Sequence, residues 1–418
     1  MKNKMLGFAV LMFLLVVTVA GCSGDDGTSG SADEQSEDGK TEITLAGWSS
    51  SPEEEELLKE QLAAFEEENP DISVKHEVIA DQYMDVMKTR LVGGQGPDVF
   101  YLDAVEAPAL IDTGVLEPLS SYADEEFDVE DFEENLINAF KDEDGEIYGF
   151  PKGYSTLALF YNKEMFEEAG VEVPTNWEEV EEAAKELTTE DTVGLGVAPE
   201  MARNQFIGEA GDGDMVVDGK ANFGSQEVID SLQPVVDLRN EDEAAAAPSE
   251  MGSNSTGEMF GQGRAAMVME GNWNIPYLNE TFPDLDYGVS EVPEINGTQG
   301  TMAFTVSYVM NSASEKKEAA WKLISYLTGK EGMKTWTESG LELPARQSVA
   351  EELGYEDDEV RGPLVAGAEY ATVWSDGPNL PTIYNNFNNE FLAAFLGDKS
   401  LEDALKTGEE TANNEIGD

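Results

Sequence analysis

From residue 42 onward, short β-prone apolar runs alternate with longer stretches whose apolar residues recur at helical spacing. Glu42-Ile43-Thr44-Leu45-Ala46-Gly47-Trp48 reads as a strand that ends on an indole. Ser51-Pro52-Glu53-Glu54 then supplies an N-cap, a proline at the first helical position and a capping-box glutamate. Leu58, Leu62 and Phe65 follow at helical spacing until Asn69-Pro70 stops the run. Ile72, Val74 and Val78 alternate as a second strand, Tyr83, Met87 and Leu91 form a second helical face, and Gly96-Pro97-Asp98-Val99-Phe100-Tyr101-Leu102-Asp103 carries a third strand. This β-α-β-α-β order favours a parallel sheet with right-handed crossovers. Ligands of such sheets sit at the carboxyl ends of the strands, which places Trp48, Ser49-Ser50 and Asp103 on one rim, with free helix N-H groups opening toward it.

Further along, Asp144-Gly145 is a hairpin signal, followed by an extended crossing and a β-prone run from Tyr154 to Tyr161. Pro174-Thr175-Asn176-Trp177-Glu178 opens a helix whose apolar face is Trp177, Val180, Ala184 and Leu187, so Trp177 is read as core. Lys316 to Leu327 is a helix with Ala320, Ile324 and Leu327 on one side, and Leu401 to Leu405 is another, capped by Ser400. A chain of 418 residues is too long for one ordinary core, and two domains are expected.

The amino terminus follows different rules. Lys2 and Lys4 precede an apolar run from Met5 to Ala20, then Val19-Ala20-Gly21-Cys22, the layout of a secretory signal peptide and somewhat short for a permanent membrane span. Cys22 is the only cysteine. Its setting resembles a bacterial lipobox, which implies acylation of Cys22 as the first mature residue; durable anchoring needs more than one acyl chain. There is no twin-arginine pair, so the ordinary secretion route fits. Ser23 to Lys40 is Gly, Ser, Asp and Glu without a large apolar residue, a flexible tether.

Charge narrows the partners. With 87 acidic against 24 basic residues the formal charge is -63, which repels nucleic acid and anionic membrane surfaces. Six Trp, 13 Tyr and 18 Phe argue for a folded chain rather than an acidic disordered one. Self-repulsion at this charge is screened at molar salt, where the Debye length is about 3 Å, so a saline or saline-alkaline medium is expected. His76 is the only histidine and sits on an alternating strand, where a structural or surface role outweighs a catalytic one. One histidine and one cysteine leave no His-based triad, Cys-His pair or tetrahedral zinc site. Gly94-Gln95-Gly96 and Gly261-Gln262-Gly263 lack the rest of a phosphate loop, and Asp142-Glu143-Asp144-Gly145 lacks the leading aspartate of a calcium loop. No cofactor is expected, and among so many acids a carboxylate pair does not identify a glycosidase. Aromatic residues in loops or at strand ends, beside polar ones, suit the flat C-H faces and hydroxyl edges of sugars.

The order Asp144-Gly145-Glu146-Ile147-Tyr148-Gly149-Phe150-Pro151, then Phe160-Tyr161-Asn162-Lys163, resembles the interlobe crossing of extracellular solute-binding proteins of ABC importers, the maltose-binding branch. Gly96 to Asp103, Ile111 to Leu119, Met259 to Met267 with Gly271-Asn272-Trp273, and Leu401 to Leu405 resemble the same family in order, from Glu42 to the end. The resemblance implies an α/β, two-lobed fold of the type II periplasmic-binding-protein kind, each lobe a mainly parallel sheet flanked by helices, with hinge crossings. Lobe one is expected over 41–150 and 303–347, and lobe two over 151–302 and 348–418, after a signal peptide (1–21) and an acidic linker (22–40). By the same resemblance Trp48, Tyr154, Trp273 and Trp374 are ligand-contacting aromatics with Asp103, Thr156, Asn272 and Ser50 as polar partners, and Arg346 and Asp376 are further ligand-binding residues. Thr156 stands where related sugar binders carry an acidic residue and Met302 where an aromatic occurs, which leaves the sugar open. The implied function is capture of a neutral mono- or oligosaccharide by a monomer anchored outside the cell membrane, and delivery to an ABC permease without chemistry. A lipid-anchored glycoside hydrolase, an adhesive lipoprotein, and a binder of a phosphate ester through Lys152 and Arg346 are the alternatives.

Overall fold

In the computed structural model the described residues are 39–48, 52–80 and 82–417; the export signal, Cys22, nearly all of the tether and Ser50 lie outside them. Among the described residues twelve strands run in chain order: β1 (Thr41–Gly47), β2 (Ile72–Val78), β3 (Val99–Asp103), β4 (Gly149–Asn162), β5 (Val193–Gly196), β6 (Val216–Val217), β7 (Lys220–Ala221), β8 (Ala245–Ala246), β9 (Ala265–Gly271), β10 (Tyr287–Ser290), β11 (Thr301–Met310) and β12 (Ala371–Val373). The first three form the parallel unit that their alternation with helices predicts, with β1 between β2 and β3. In the second lobe β5 lies parallel between β8 and β9.

The lobes are not mainly parallel throughout, because two long strands pass between them. β4 leads from the first lobe into the second and β11 leads back, so the two pair antiparallel with each other and with the lobe strands beside them. One hydrogen-bonded path, β2-β1-β3-β11-β4-β9-β5-β8, therefore joins both lobes. β4 earns its central place through its sequence: the uninterrupted run Leu157-Ala158-Leu159-Phe160 is buried on both faces, as expected of an interior strand.

The register sets the geometry of the gap. Asp103, at the carboxyl end of β3, is level with Val306 and hence with Gly153 on β4, while Gly271, at the end of β9, is level with Leu157. Four residues of extended chain separate these levels, about 13 Å at 3.3 Å per residue. Both sets of parallel strands thus end facing the middle of the same crossing.

The Ser400 cap expected from the sequence holds, its Oγ accepting the Asp403 N-H at 3.1 Å, and Asn176 Oδ1 accepts the Glu179 N-H at 3.0 Å; the cap expected at Ser51 lies outside the described residues. The Asp142–Gly145 segment is a turn, with Asp142 Oδ1 accepting the N-H groups of Asp144 and Glu146 and Gly145 at φ 84°. His76 is half-buried on the edge strand β2, and burial lowers its pKa.

Candidate functional site

The floor of the gap is the middle of β11 and β4. Phe304 and Val306 are partly exposed while Ala303, Thr305 and Ser307 between and beside them are buried, so one face of β11 opens. Residues directly opposite in an antiparallel pair share a face, and Phe304 is opposite Ser155. Ser155, 8 % exposed, is therefore the β4 side chain on the open face. Thr156 and Tyr154 point the other way. Thr156 is fully buried with its hydroxyl donating to the Leu364 carbonyl, and Tyr154 is buried opposite Thr305, its backbone paired with Leu343. The sequence reading placed both at the ligand; a one-residue slip in a strand of period two moves a side chain to the opposite face.

On the rim of lobe one, Trp48 stands edge-on to Tyr83 at 4.9 Å and to Tyr101 at 5.2 Å. Tyr83 is itself pinned, its hydroxyl 3.1 Å from the Ala46 carbonyl and 3.0 Å from that of Tyr101. Asp103 Oδ1 accepts the Val105 N-H at 3.1 Å, and burial pushes its carboxyl up to about 6, with a further push from Glu106.

On the opposing rim, β9 ends at Gly271, and Asn272-Trp273 form the turn after it. Asn272 is fully buried; Nδ2 donates to the Leu341 carbonyl at 2.8 Å, and Oδ1 makes no hydrogen bond. Trp273 Nε1 donates to Glu270 Oε2 at 2.9 Å, Phe304 meets the indole edge-on at 5.8 Å, and the Arg203 guanidinium lies over the ring at 4.7 Å. A Cβ at Gly271 would fall 2.3 Å from the indole carbons, so only glycine lets the ring lie there. Trp374 is nearly buried, its backbone N-H donating to the Ala303 carbonyl at 2.8 Å and its ring 5.7 Å from that of Tyr384. Asp376 and Glu209 share the amide of Gln205, and burial raises both carboxyls. Burial raises the pKa of the Tyr384 phenol, with a smaller push from Glu106 and Asp103.

The structure thus brings Trp48, Asp103, Trp273, Trp374 and Asp376 to the two rims, with Asn272 buried beneath the second. Arg346 is not among them. It is fully buried in lobe one, donating to the carbonyls of Thr328 at 2.7 Å, Asp128 at 2.9 Å and Phe127 at 2.9 Å, and to Asp131 at 3.2 Å. Lys152 is likewise committed, 2.9 Å from Glu342 and 3.5 Å from Glu54. An anionic ligand therefore loses both cations that the sequence offered it. Arg203, Glu270, Ser155, Phe304 and the Gln205–Glu209 pair also stand at the gap and were not among the residues singled out from the sequence. For Phe304 the signal was the alternation around it; for Arg203 nothing local marks its pairing with a tryptophan 70 residues away.

Two α/β lobes whose strand ends face each other across antiparallel crossings, with aromatic rings and carboxylates lining the gap, define a two-lobed binding protein. Among the described residues no group of three or more His, Cys, Asp or Glu could hold a metal ion. The chain belongs to the bacterial extracellular solute-binding protein family, which matches residues 48–334. It is similar to the ABC substrate-binding protein Lmo0181 from Listeria monocytogenes, solved in complex with cycloalternan, at 27% identity and a TM-score of 0.81 over 90% of this chain and 99% of that one. A solute-binding protein from Thermotoga lettingae solved with α-D-tagatose gives 26% identity and a TM-score of 0.79 over 90% of this chain and 100% of that one. The galactooligosaccharide-binding protein of Bacillus subtilis is 24% identical over 381 residues, 86% of each chain. The family and these relatives are non-catalytic solute-binding proteins.

Proposed function

We propose that the chain captures a neutral sugar, in particular an oligosaccharide, between its lobes and hands it unaltered to the permease of an ABC importer, held outside the cell membrane by acylated Cys22. The observation that carries this is the pairing of rims: Trp48 and Asp103 at the strand ends of one, and Trp374, Asp376 and the Arg203–Trp273 stack on the other. Rings suit the C-H faces of a pyranose and carboxylates accept its hydroxyls. Asp103, Glu106, Glu209, Glu270 and Asp376 against Arg203 make the gap acidic, which disfavours a phosphate ester. The saccharides bound by the structural relatives support the same ligand class.

Thermal shift against neutral saccharides, a sugar phosphate and a chromogenic glycoside tests the proposal. A saccharide at 100 times its dissociation constant adds about 2.7 kcal/mol of stability. Stabilisation by a neutral saccharide without turnover is the expected result. Glycoside cleavage, or stabilisation by the phosphate ester alone, contradicts it.

A further inference from the structure

The indole of Trp273 is largely covered. The main chain at Gly271 lies against its six-membered ring, Phe304 meets its edge, Nε1 is bonded to Glu270, and the Arg203 guanidinium stacks over a face. A ring enclosed in this way has little bare face to offer a pyranose. The guanidinium is differently placed. It lies 6.0 Å from the ring of Phe304 on the floor of the gap, its side chain is 22% exposed, and Nη1 stands 3.4 Å from Glu270 Oε2. Nη1 is itself buried and donates no hydrogen bond among the described residues. Glu270 Oε2 is already taken by the indole N-H and Oε1 by the Thr256 hydroxyl.

We infer that Arg203 is the ligand-contacting residue at this corner of the gap and that Trp273 acts as its support, a reading that rests on the proposed sugar capture. The chemistry is complementary: the carboxylates of Asp103, Asp376 and Glu209 accept from sugar hydroxyls, whereas a guanidinium only donates, in a fixed planar fork. Stacking on the indole holds that fork flat, and Glu270 balances its charge without using up its donors. Arg203 then selects sugars that present two adjacent oxygens to a planar donor pair.

The test is titration calorimetry with maltotriose, mannotriose and galactobiose on wild type, Arg203→Met, Arg203→Lys, Trp273→Leu and the double variant Arg203→Met/Trp273→Leu. If none of these saccharides binds wild type, the sugar reading and this inference fall together. If one binds, Arg203→Met lowers its affinity at least tenfold while the near-UV circular dichroism stays native, and Arg203→Lys recovers only part of the loss. The double variant is no weaker than the worse single one, because the two side chains act as one unit. Affinity of Arg203→Met within twofold of wild type, or a double loss equal to the product of the single losses, overturns the inference while leaving sugar capture standing. Should Arg203→Met fail to fold, Arg203→Lys decides: a fivefold loss supports the inference and a loss under twofold overturns it.

Discussion

Asp103 shows how a single side chain ties stability to binding. Burial raises its carboxyl to about 6 from an ordinary 3.8, so the folded chain holds this proton to higher pH than the unfolded one. Stability is therefore lost as pH rises from about 4 to 6 and stays lost above, by at most about 3 kcal/mol at 1.36 kcal/mol per pKa unit. Asp103→Asn is expected to raise the melting temperature at pH 7.5 and to leave it unchanged near pH 4, as scanning calorimetry at the two pH values would show. A carboxylate that accepts from a sugar hydroxyl is worth more than an amide, so the same variant weakens saccharide binding about tenfold at pH 7.5. Gly271 is the second such residue. Gly271→Ala forces its Cβ into the Trp273 ring, and a destabilisation of about 1–3 kcal/mol is expected from denaturant titration. Neither effect is visible in the sequence, since both depend on what folds against the residue.

At the scale of elements, the strands and helices of lobe one and the crossing at β4 were legible because each has a period and a stop signal of its own. The face of β4 was not. An interior strand is apolar on both sides, so the run from Tyr154 to Tyr161 carries no alternation, and only its pairing with Phe304 assigns Ser155 rather than Thr156 to the gap. Ser155→Leu is expected to reduce saccharide affinity at least tenfold with a small change in melting temperature. Thr156→Val, which loses the bond to the Leu364 carbonyl, should cost about 1 kcal/mol of stability and leave affinity alone. The opposite pattern would return Thr156 to the site. The register shift at Val306/Ser307 makes Lys152 the extra residue of a bulge, re-aiming its ammonium over Tyr101 at 4.9 Å and Trp336 at 4.2 Å. Although burial disfavours its charge, Glu342 and Glu54 hold its pKa above the usual lysine value. Lys152→Met strands these carboxylates, and a loss of about 3–5 kcal/mol by chemical denaturation is expected. The sequence offered Lys152 and Arg346 as cations for a ligand; their carboxylate and carbonyl partners lie on segments far away in the chain, which is why the sequence alone misplaced them.

For the whole molecule, a formal charge of -63 sets the conditions under which the two lobes hold together. Mutual repulsion opposes compaction in dilute salt and is screened at molar salt. The melting temperature is therefore expected to rise between low and molar sodium chloride; a flat or falling curve would remove the case for a saline habitat. The central claim concerns how the lobes move. Ligand binding shifts the molecule toward a closed form only if that form binds the ligand better, and the proposed capture requires the two rims to approach by bending at β4 and β11. Small-angle X-ray scattering with and without the saccharide that most raises the melting temperature tests this most directly. The account predicts that the radius of gyration falls on saturation with that saccharide, and scattering curves that superimpose with and without every saccharide tried would contradict it.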